Sequence, residues 1–416
     1  MPPTTMTPFP YSCEIEAEPL YRYKKGGYHP VHLGDHLKHG RYRVLHKLGW
    51  GGYSTVWAAR DQDLGRYVAV KISVSNRQPK PKDLQLQVMR TIATSSLKHP
   101  GAAFMMKLLD HFEFDGPNGT HKCLVLELLG PSISDVLEVR LADKGLPGEL
   151  AKKVARQILL GLDYLHQHGI VHGDLHTRNI AFALPLLDSA GEDELSRILG
   201  KPELGQVRRV NGEPLESGVP KYLVRPSSYP SSVLSLPDSV KIVDYGESFL
   251  DTDPPATLHT PLAVRAPEVV LGDSFDHRVD LWSMGCLLFE LFTRQPPFDV
   301  LMLTPGTLVE QMEELATDRL PEPWTERANR LRELSVGSSQ TEDEEDKTAS
   351  THALQQWLEE VYFDEGKKAE LSPEDVRKLG ELVTKMLWFE PSSRGTASSL
   401  LKSTWLSQGY CKSLSD

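Results

Sequence analysis

Two periods of hydrophobic patterning divide this chain. Over Arg41–Val74 apolar and polar positions alternate through Tyr42 and Val44, then Val56 and Trp57, then Val68 to Ile72, with a glycine-rich turn between them. A period of two predicts strands. From about Asp83 to Leu97 the spacing turns helical through Leu84, Leu86, Val88, Met89 and Ile92. Leu124 to Leu129 reads as a short apolar strand that stops at Gly130-Pro131. Beyond that linker the period is 3.6, which predicts helices over Ala151–His166, Asp280–Thr293 and Pro373–Trp388. A strand-rich front and a helix-rich back predict an α+β, two-lobed architecture with a small β-rich N-lobe and a large α-helical C-lobe.

Two stretches interrupt this pattern. Residues 183–238 are rich in Pro, Gly and Ser, yet predict a short helix at Glu192–Leu199 and a strand at Tyr222–Val224. Residues 335–350 carry the acidic run Thr341–Asp346, expected as a solvated loop. Residues 1–18 are Pro- and Thr-rich and expected to be disordered. The expected organisation is a disordered 1–18, an extension 19–40, the N-lobe 41–127, the C-lobe 128–408 with insertions at 183–238 and 335–350, and a tail 409–416.

Composition narrows the setting. The 416 residues carry a net charge of −11, which argues against global binding of nucleic acid or membrane surfaces. Cys13, Cys123, Cys286 and Cys411 are widely spaced without a CxxC pair, the usage of a reducing compartment. No apolar run reaches the length of a membrane span, and no signal pattern opens the chain. The expectation is a monomer of the cytoplasm and nucleus.

Candidate chemistry starts at VHGDLHTRN, Val171–Asn179, which places Asp174 five residues before Asn179. Phosphoryl transfer from ATP needs a carboxylate beside the attacking hydroxyl and a side-chain oxygen on magnesium, and Asp174 and Asn179 suit those roles. Kinases of small molecules carry similar strings, so neighbouring motifs decide. Gly49-Trp-Gly-Gly-Tyr-Ser-Thr-Val56 lies between strand patterns, and its glycines let backbone amides approach phosphate. It departs from GxGxxG at Ser54. Val68-Ala-Val-Lys71 follows at the spacing of a strand lysine that holds phosphates. Val240-Lys-Ile-Val-Asp-Tyr-Gly246 offers Asp244 as a second magnesium ligand. Arg265-Ala-Pro-Glu268, Asp280-Leu-Trp-Ser-Met-Gly285 and Arg394 complete the series, with Arg394 expected as a buried partner for Glu268. Small-molecule kinases lack this ordered series.

With these motifs the chain resembles a eukaryotic protein kinase, and more closely an SR-protein kinase of fungal type. The narrower resemblance rests on Lys25-Gly-Gly-Tyr-His-Pro-Val31, Lys47-Leu-Gly-Trp-Gly51, Ser54-Thr-Val-Trp57 and VKIVDYGESF from Val240, with an insertion between catalytic loop and DYG. It covers roughly residues 18 to 408. It implies transfer of the ATP γ-phosphate, with Mg2+, to serines of basic Arg/Ser-rich splicing factors. It also implies ATP binding by Leu48, Gly49, Gly51, Gly52, Ser54 and Lys71. Val56 and Ala69 would pack on adenine, Leu126 would gate the rear, and backbone groups near Glu127 and Leu129 would bond the base.

Four departures set further expectations. Gly173 replaces the arginine that in many kinases grips an activation-loop phosphate, so activity without such phosphorylation is expected. Thr260 is the expected acceptor in that loop, and Thr260→Ala is expected to change little. His176 replaces a lysine two residues after Asp174, and Arg178 is expected to supply the missing catalytic cation. Gln85 occupies the place of the helix glutamate that pairs the strand lysine, with Asp83 as the other candidate. Gln85, Gly173 and His176 favour the alternative, a catalytically weak pseudokinase acting as a nucleotide-binding scaffold.

Overall fold

Period-two patterning folds into a six-stranded antiparallel sheet in the order His36–Leu37, Tyr42–Gly51, Ser54–Asp61, Arg66–Ser73, Gly119–Glu127, Leu108–Gly116. The computed structural model describes residues 10–75, 84–139, 145–184, 187, 191–230, 237–298, 302–335, 353–364 and 370–407. Pairing aligns Trp57, Val70 and Val125 on one face, where they join Val44, Val68, Ile72 and Cys123 in a buried core. Because side chains alternate along a strand, the opposite face carries Val56, Lys71 and Leu124 in one row and Ala58, Ala69 and Leu126 in the next.

The chain divides into two compact units, one of 1–86, 106–130 and 183–237, the other of 87–105, 131–182 and 238–416. The stretch expected as an insertion in the large lobe therefore packs with the sheet. Its helix Glu192–Leu199 and strand Tyr222–Val224 form as predicted. Val224 joins the sheet core, while Val207, Val219 and Leu223 bury with Leu20, Tyr23 and Tyr28 in a second cluster. The expected disorder of residues 1–18 fails from Pro10 onward. Tyr11–Ser12 pairs antiparallel with Arg208–Arg209, and buried Glu18 bonds both the Lys47 ammonium and the Tyr23 hydroxyl. Sparse apolar residues in each segment hid this. Neither shows a period alone, and the partner strand lies some two hundred residues away. Residues 1–9, the acidic run Thr341–Asp346 and the tail 409–416 lie outside the described residues.

The second unit is built around two helices. Gly148–Gln167 buries Ala151, Val154, Ala155, Ile158, Leu162 and Leu165, one stripe at helical spacing. Arg278–Thr293 is buried almost all round, with Cys286, Leu287, Leu288 and Phe289 wholly inaccessible. Pro373–Thr384 starts at a capping box between Ser372 and Asp375 and stops four residues before the expected Trp388. Two short antiparallel pairs complete it: Ile180–Phe182 with Val240–Ile242, and Ile170–Val171 with Phe249–Leu250. Among the described residues no helix is long and apolar enough to cross a membrane.

Candidate active site

The helical unit gathers the catalytic-loop residues through those short strands. Ile180 opposes Ile242, so Asn179 and Asp244 emerge at the same end of the ladder, and the Val243 amide donates to the Asn179 carbonyl at 2.9 Å. Asp244 stands at φ 60° with a side-chain oxygen accepting from the Gly246 amide at 3.1 Å. A non-glycine residue in this left-handed region carries an energetic cost, which its bond to Gly246 helps to offset. Asn179 Nδ2 donates to the Asp174 carbonyl at 2.8 Å and to Asp174 Oδ2 at 3.0 Å. The same Nδ2 lies 3.1 Å from His176 Nε2, and no described residue bonds Asn179 Oδ1. Asp174 Oδ1 is buried with no hydrogen-bond partner. A buried carboxylate oxygen without a donor is costly unless a ligand supplies one.

Beneath the loop, Asp280 fixes its backbone. It accepts from the His172 amide at 2.8 Å, the Gly173 amide at 2.9 Å and His166 Nε2 at 3.0 Å. Burial acts to raise its pKa, but the hydrogen bond and charge of His166, with His172 and the Gly173 amide, outweigh it and hold the carboxyl below its ordinary value. Ser248 Oγ donates to the His172 carbonyl at 3.0 Å, tying the segment after Asp244 to the same loop. Glu268 and Arg394 form a bidentate pair at 2.6 and 2.8 Å with almost no exposure, as expected from the motif order.

The sheet unit carries the other expected residues. Val56, Ala69, Lys71 and Leu126 share the face turned away from the core. A register shift between Lys47 and Gly49 puts Leu48 at an irregularity just before the loop. Gly51 pairs with Ser54, leaving Gly52 and Tyr53 at the tip. A Cβ added at Gly49, Gly51 or Gly52 would meet nothing within 4 Å, and none of the three has positive φ. With no neighbour to meet a Cβ at these positions, the backbone here is open to close approach from outside. The Glu127 amide bonds the Lys107 carbonyl at 3.2 Å. Tyr229 of the inserted stretch donates to the Leu129 carbonyl at 3.2 Å, so the Leu129 N–H is its group suited to a base.

Comparison with known proteins matches residues 42–188 and 230–406 to the protein kinase domain. The matched parts flank the inserted stretch. A serine/threonine-protein kinase SRPK of Physarum polycephalum is 31% identical over 94% of this chain and 92% of its own length. The protein kinase dsk1 of Schizosaccharomyces pombe is 26% identical over 92% of this chain and 84% of its own.

The chain belongs to the SR-protein kinases. A human relative, SRSF protein kinase 3, is 39% identical over 41% of this chain and 30% of its own. The chain is accordingly a serine/threonine protein kinase with the two-lobed kinase fold, and nothing in the comparisons favours the pseudokinase alternative.

Within this kinase two expectations change. Arg178 does not reach Asp174. Its side chain is 72% exposed and pairs with Glu138 at 3.3 Å. The cause is local: Thr177–Asn179 is a 3-10 turn capped by His176, which places positions 176 and 179 on one side and 178 outside. His176 Nδ1 accepts from the Arg178 amide at 3.2 Å, and its Nε2 lies 3.1 Å from Asn179 Nδ2 and 3.6 Å from Asp174 Oδ1. Arg265, on the segment bonded to the catalytic loop through Thr260, is a cation on which the Asp174 charge acts. Burial presses its pKa down and the Asp174 charge acts against that. Its guanidinium donates to the Thr260 carbonyl at 2.9 and 2.6 Å. The sequence reading named Arg265 only within its motif; a cation ahead of Ala-Pro-Glu, in a chain lacking the catalytic-loop lysine, was the available signal. Arg178→Ala is therefore expected to leave turnover within about twofold of wild type. Arg265→Ala should lower it on the order of tenfold or more, the loss of one charge-assisted interaction. Steady-state phosphorylation decides, and the reverse ranking would restore Arg178.

Thr260 is buried, and its hydroxyl donates to the Gly173 carbonyl at 2.7 Å. It is a brace of the catalytic loop, not an accessible phosphate acceptor, so Thr260→Ala would remove that brace rather than probe phosphorylation. Gly173 stands at φ 76°, and a Cβ there would come within 2.7 Å of the Glu247 carbonyl. An arginine cannot be accommodated without displacing that backbone. Gln85 lies on the helix Leu84–Thr94 with its side-chain Nε2 buried and unbonded, while Asp83 is outside the described residues.

Proposed function

We propose that this kinase transfers the γ-phosphate of Mg2+-ATP to serines in Arg/Ser-rich proteins, acting in cytoplasm and nucleus. The observation that carries the chemistry is Asp174 Oδ1, buried and without a donor beside the Asn179 amide. A serine hydroxyl would supply the missing donor, and its proton passes to this oxygen as the hydroxyl attacks the γ-phosphorus and the bond from that phosphorus to the β-phosphate oxygen breaks, releasing ADP. Asn179 Oδ1 and the Asp244 carboxylate are hard oxygen donors that suit Mg2+, which takes few protein ligands and shares phosphate oxygens. When bound, the ion neutralises charge on the phosphates. Lys71, on the sheet face beside Val56 and Leu124, would hold the α- and β-phosphates.

The segment after Asp244 is held by contacts of its own residues. Ser248 and Thr260 bond the catalytic loop, Phe249–Leu250 pairs with Ile170–Val171, and Arg265 closes on Thr260. These contacts support activity in the unphosphorylated protein. The substrate class is supported by the names of relatives matched over most of the chain and by the net charge of −11, favourable to a basic peptide. The test is incorporation of labelled γ-phosphate into an Arg-Ser repeat peptide beside a Lys-Ser control. Selective labelling of the Arg-Ser peptide is expected; equal labelling of both would remove the substrate class, and labelling of neither would remove the activity.

A further inference from the structure

Gly51 and Gly52 have no side chains with which to fix their peptide planes, yet the segment before the sheet reaches them. Tyr28 Oη donates to the Gly51 carbonyl at 2.7 Å, and the Arg22 guanidinium donates to the Gly52 carbonyl. Both donors are themselves held. Tyr28 is 1% exposed, its ring meets Tyr23 edge-on at 5.6 Å, and Arg22 lies over it at 5.1 Å. Asn118 Nδ2 bridges the Tyr28 carbonyl at 2.6 Å and the Gly218 carbonyl at 2.8 Å, joining the segment to a hairpin turn and to the inserted stretch. The second cluster, containing Tyr23, Tyr28, Val207 and Leu223, packs the same two segments together.

Peptide planarity turns these bonds into directions. In a trans peptide the C=O of one residue and the N–H of the next point opposite ways. A donor on the Gly51 carbonyl therefore aims the Gly52 N–H away from Tyr28, and a donor on the Gly52 carbonyl aims the Tyr53 N–H away from Arg22. Bonded carbonyls also polarise the attached N–H groups. We infer that Tyr28 and Arg22 are positioning residues that pre-orient the Gly52 and Tyr53 amides toward the phosphates of the bound nucleotide, with the inserted stretch as their brace. This inference rests on the ATP reading proposed above. It gives the Gly-Gly-Tyr segment before the sheet a role that fold stability alone would not require.

The test is binding of ATP and of adenosine to full-length wild type, Tyr28→Phe and Arg22→Gln by calorimetric titration, with KM for ATP in the peptide assay. Tyr28→Phe keeps the ring and removes only the donor. Each substitution should weaken ATP about 2–10-fold, the worth of one hydrogen bond, and raise KM for ATP by the same factor. Adenosine, which lacks phosphates, should bind as to wild type. A purely structural role would weaken both ligands together, and that result, or unchanged ATP affinity, would overturn the inference. Wild type binding neither ligand would instead remove the ATP reading on which it rests.

Discussion

Asp174→Ala is expected to abolish nearly all phosphoryl transfer while leaving ATP binding close to that of wild type. Asp174 Oδ1 is a buried oxygen without a hydrogen-bond partner, and the other carboxylate oxygen of Asp174 is bonded by Asn179. Removing the carboxylate takes away the acceptor for the serine proton. General-base contributions put the loss at about a hundred- to ten-thousand-fold in kcat. The change should appear equally in kcat and kcat/KM for the peptide, because the interaction is made only as the hydroxyl reacts. Single-turnover transfer from labelled ATP measures it. A variant that keeps more than about a tenth of wild-type turnover would show that Asp174 is not the base.

The largest expected effect on stability comes from Arg394→Met. Arg394 and Glu268 meet by two parallel hydrogen bonds at 0% and 1% exposure, and Arg394 also serves the carbonyls of Trp388, Arg278 and Phe389. Deleting the cation leaves Glu268 charged and unpaired in the interior. Breaking such a buried pair costs about 3–5 kcal/mol. For a unit of this size that lowers the thermal midpoint by roughly 6–20 °C. The double variant Glu268→Gln/Arg394→Met should recover part of the loss, because it removes the stranded charge. Thermal unfolding followed by circular dichroism compares the three proteins. A single variant as stable as wild type would mean that the pair contributes specificity of fold without net stability.

Much of this kinase was legible from local spacing. Strands of the sheet follow period-two alternation, and the face holding Val56, Ala69, Lys71 and Leu126 follows from that alternation once register is known. The helices centred on Gly148–Gln167 and Arg278–Thr293 appeared within a few residues of their expected ends, since long apolar stripes determine helices regardless of partners. The Glu268–Arg394 pair was legible because the motif order fixes which buried charges must meet.

What failed were statements about direction and about distant partners. Arg178 was assigned by its distance in sequence from Asp174, but a 3-10 turn rotates its side chain toward Glu138. Thr260 was assigned by residue type, but its hydroxyl is spent on the Gly173 carbonyl.

The sequence by itself determined the fold class and the family, because these depend on short-range periodicity and on the order of motifs along the chain. Only the tertiary structure decided that Arg178 pairs with Glu138, where the inserted stretch packs, and what holds the glycine-rich loop. Each of those depends on contacts between residues tens to hundreds of positions apart, whose geometry is set by packing rather than by local propensity.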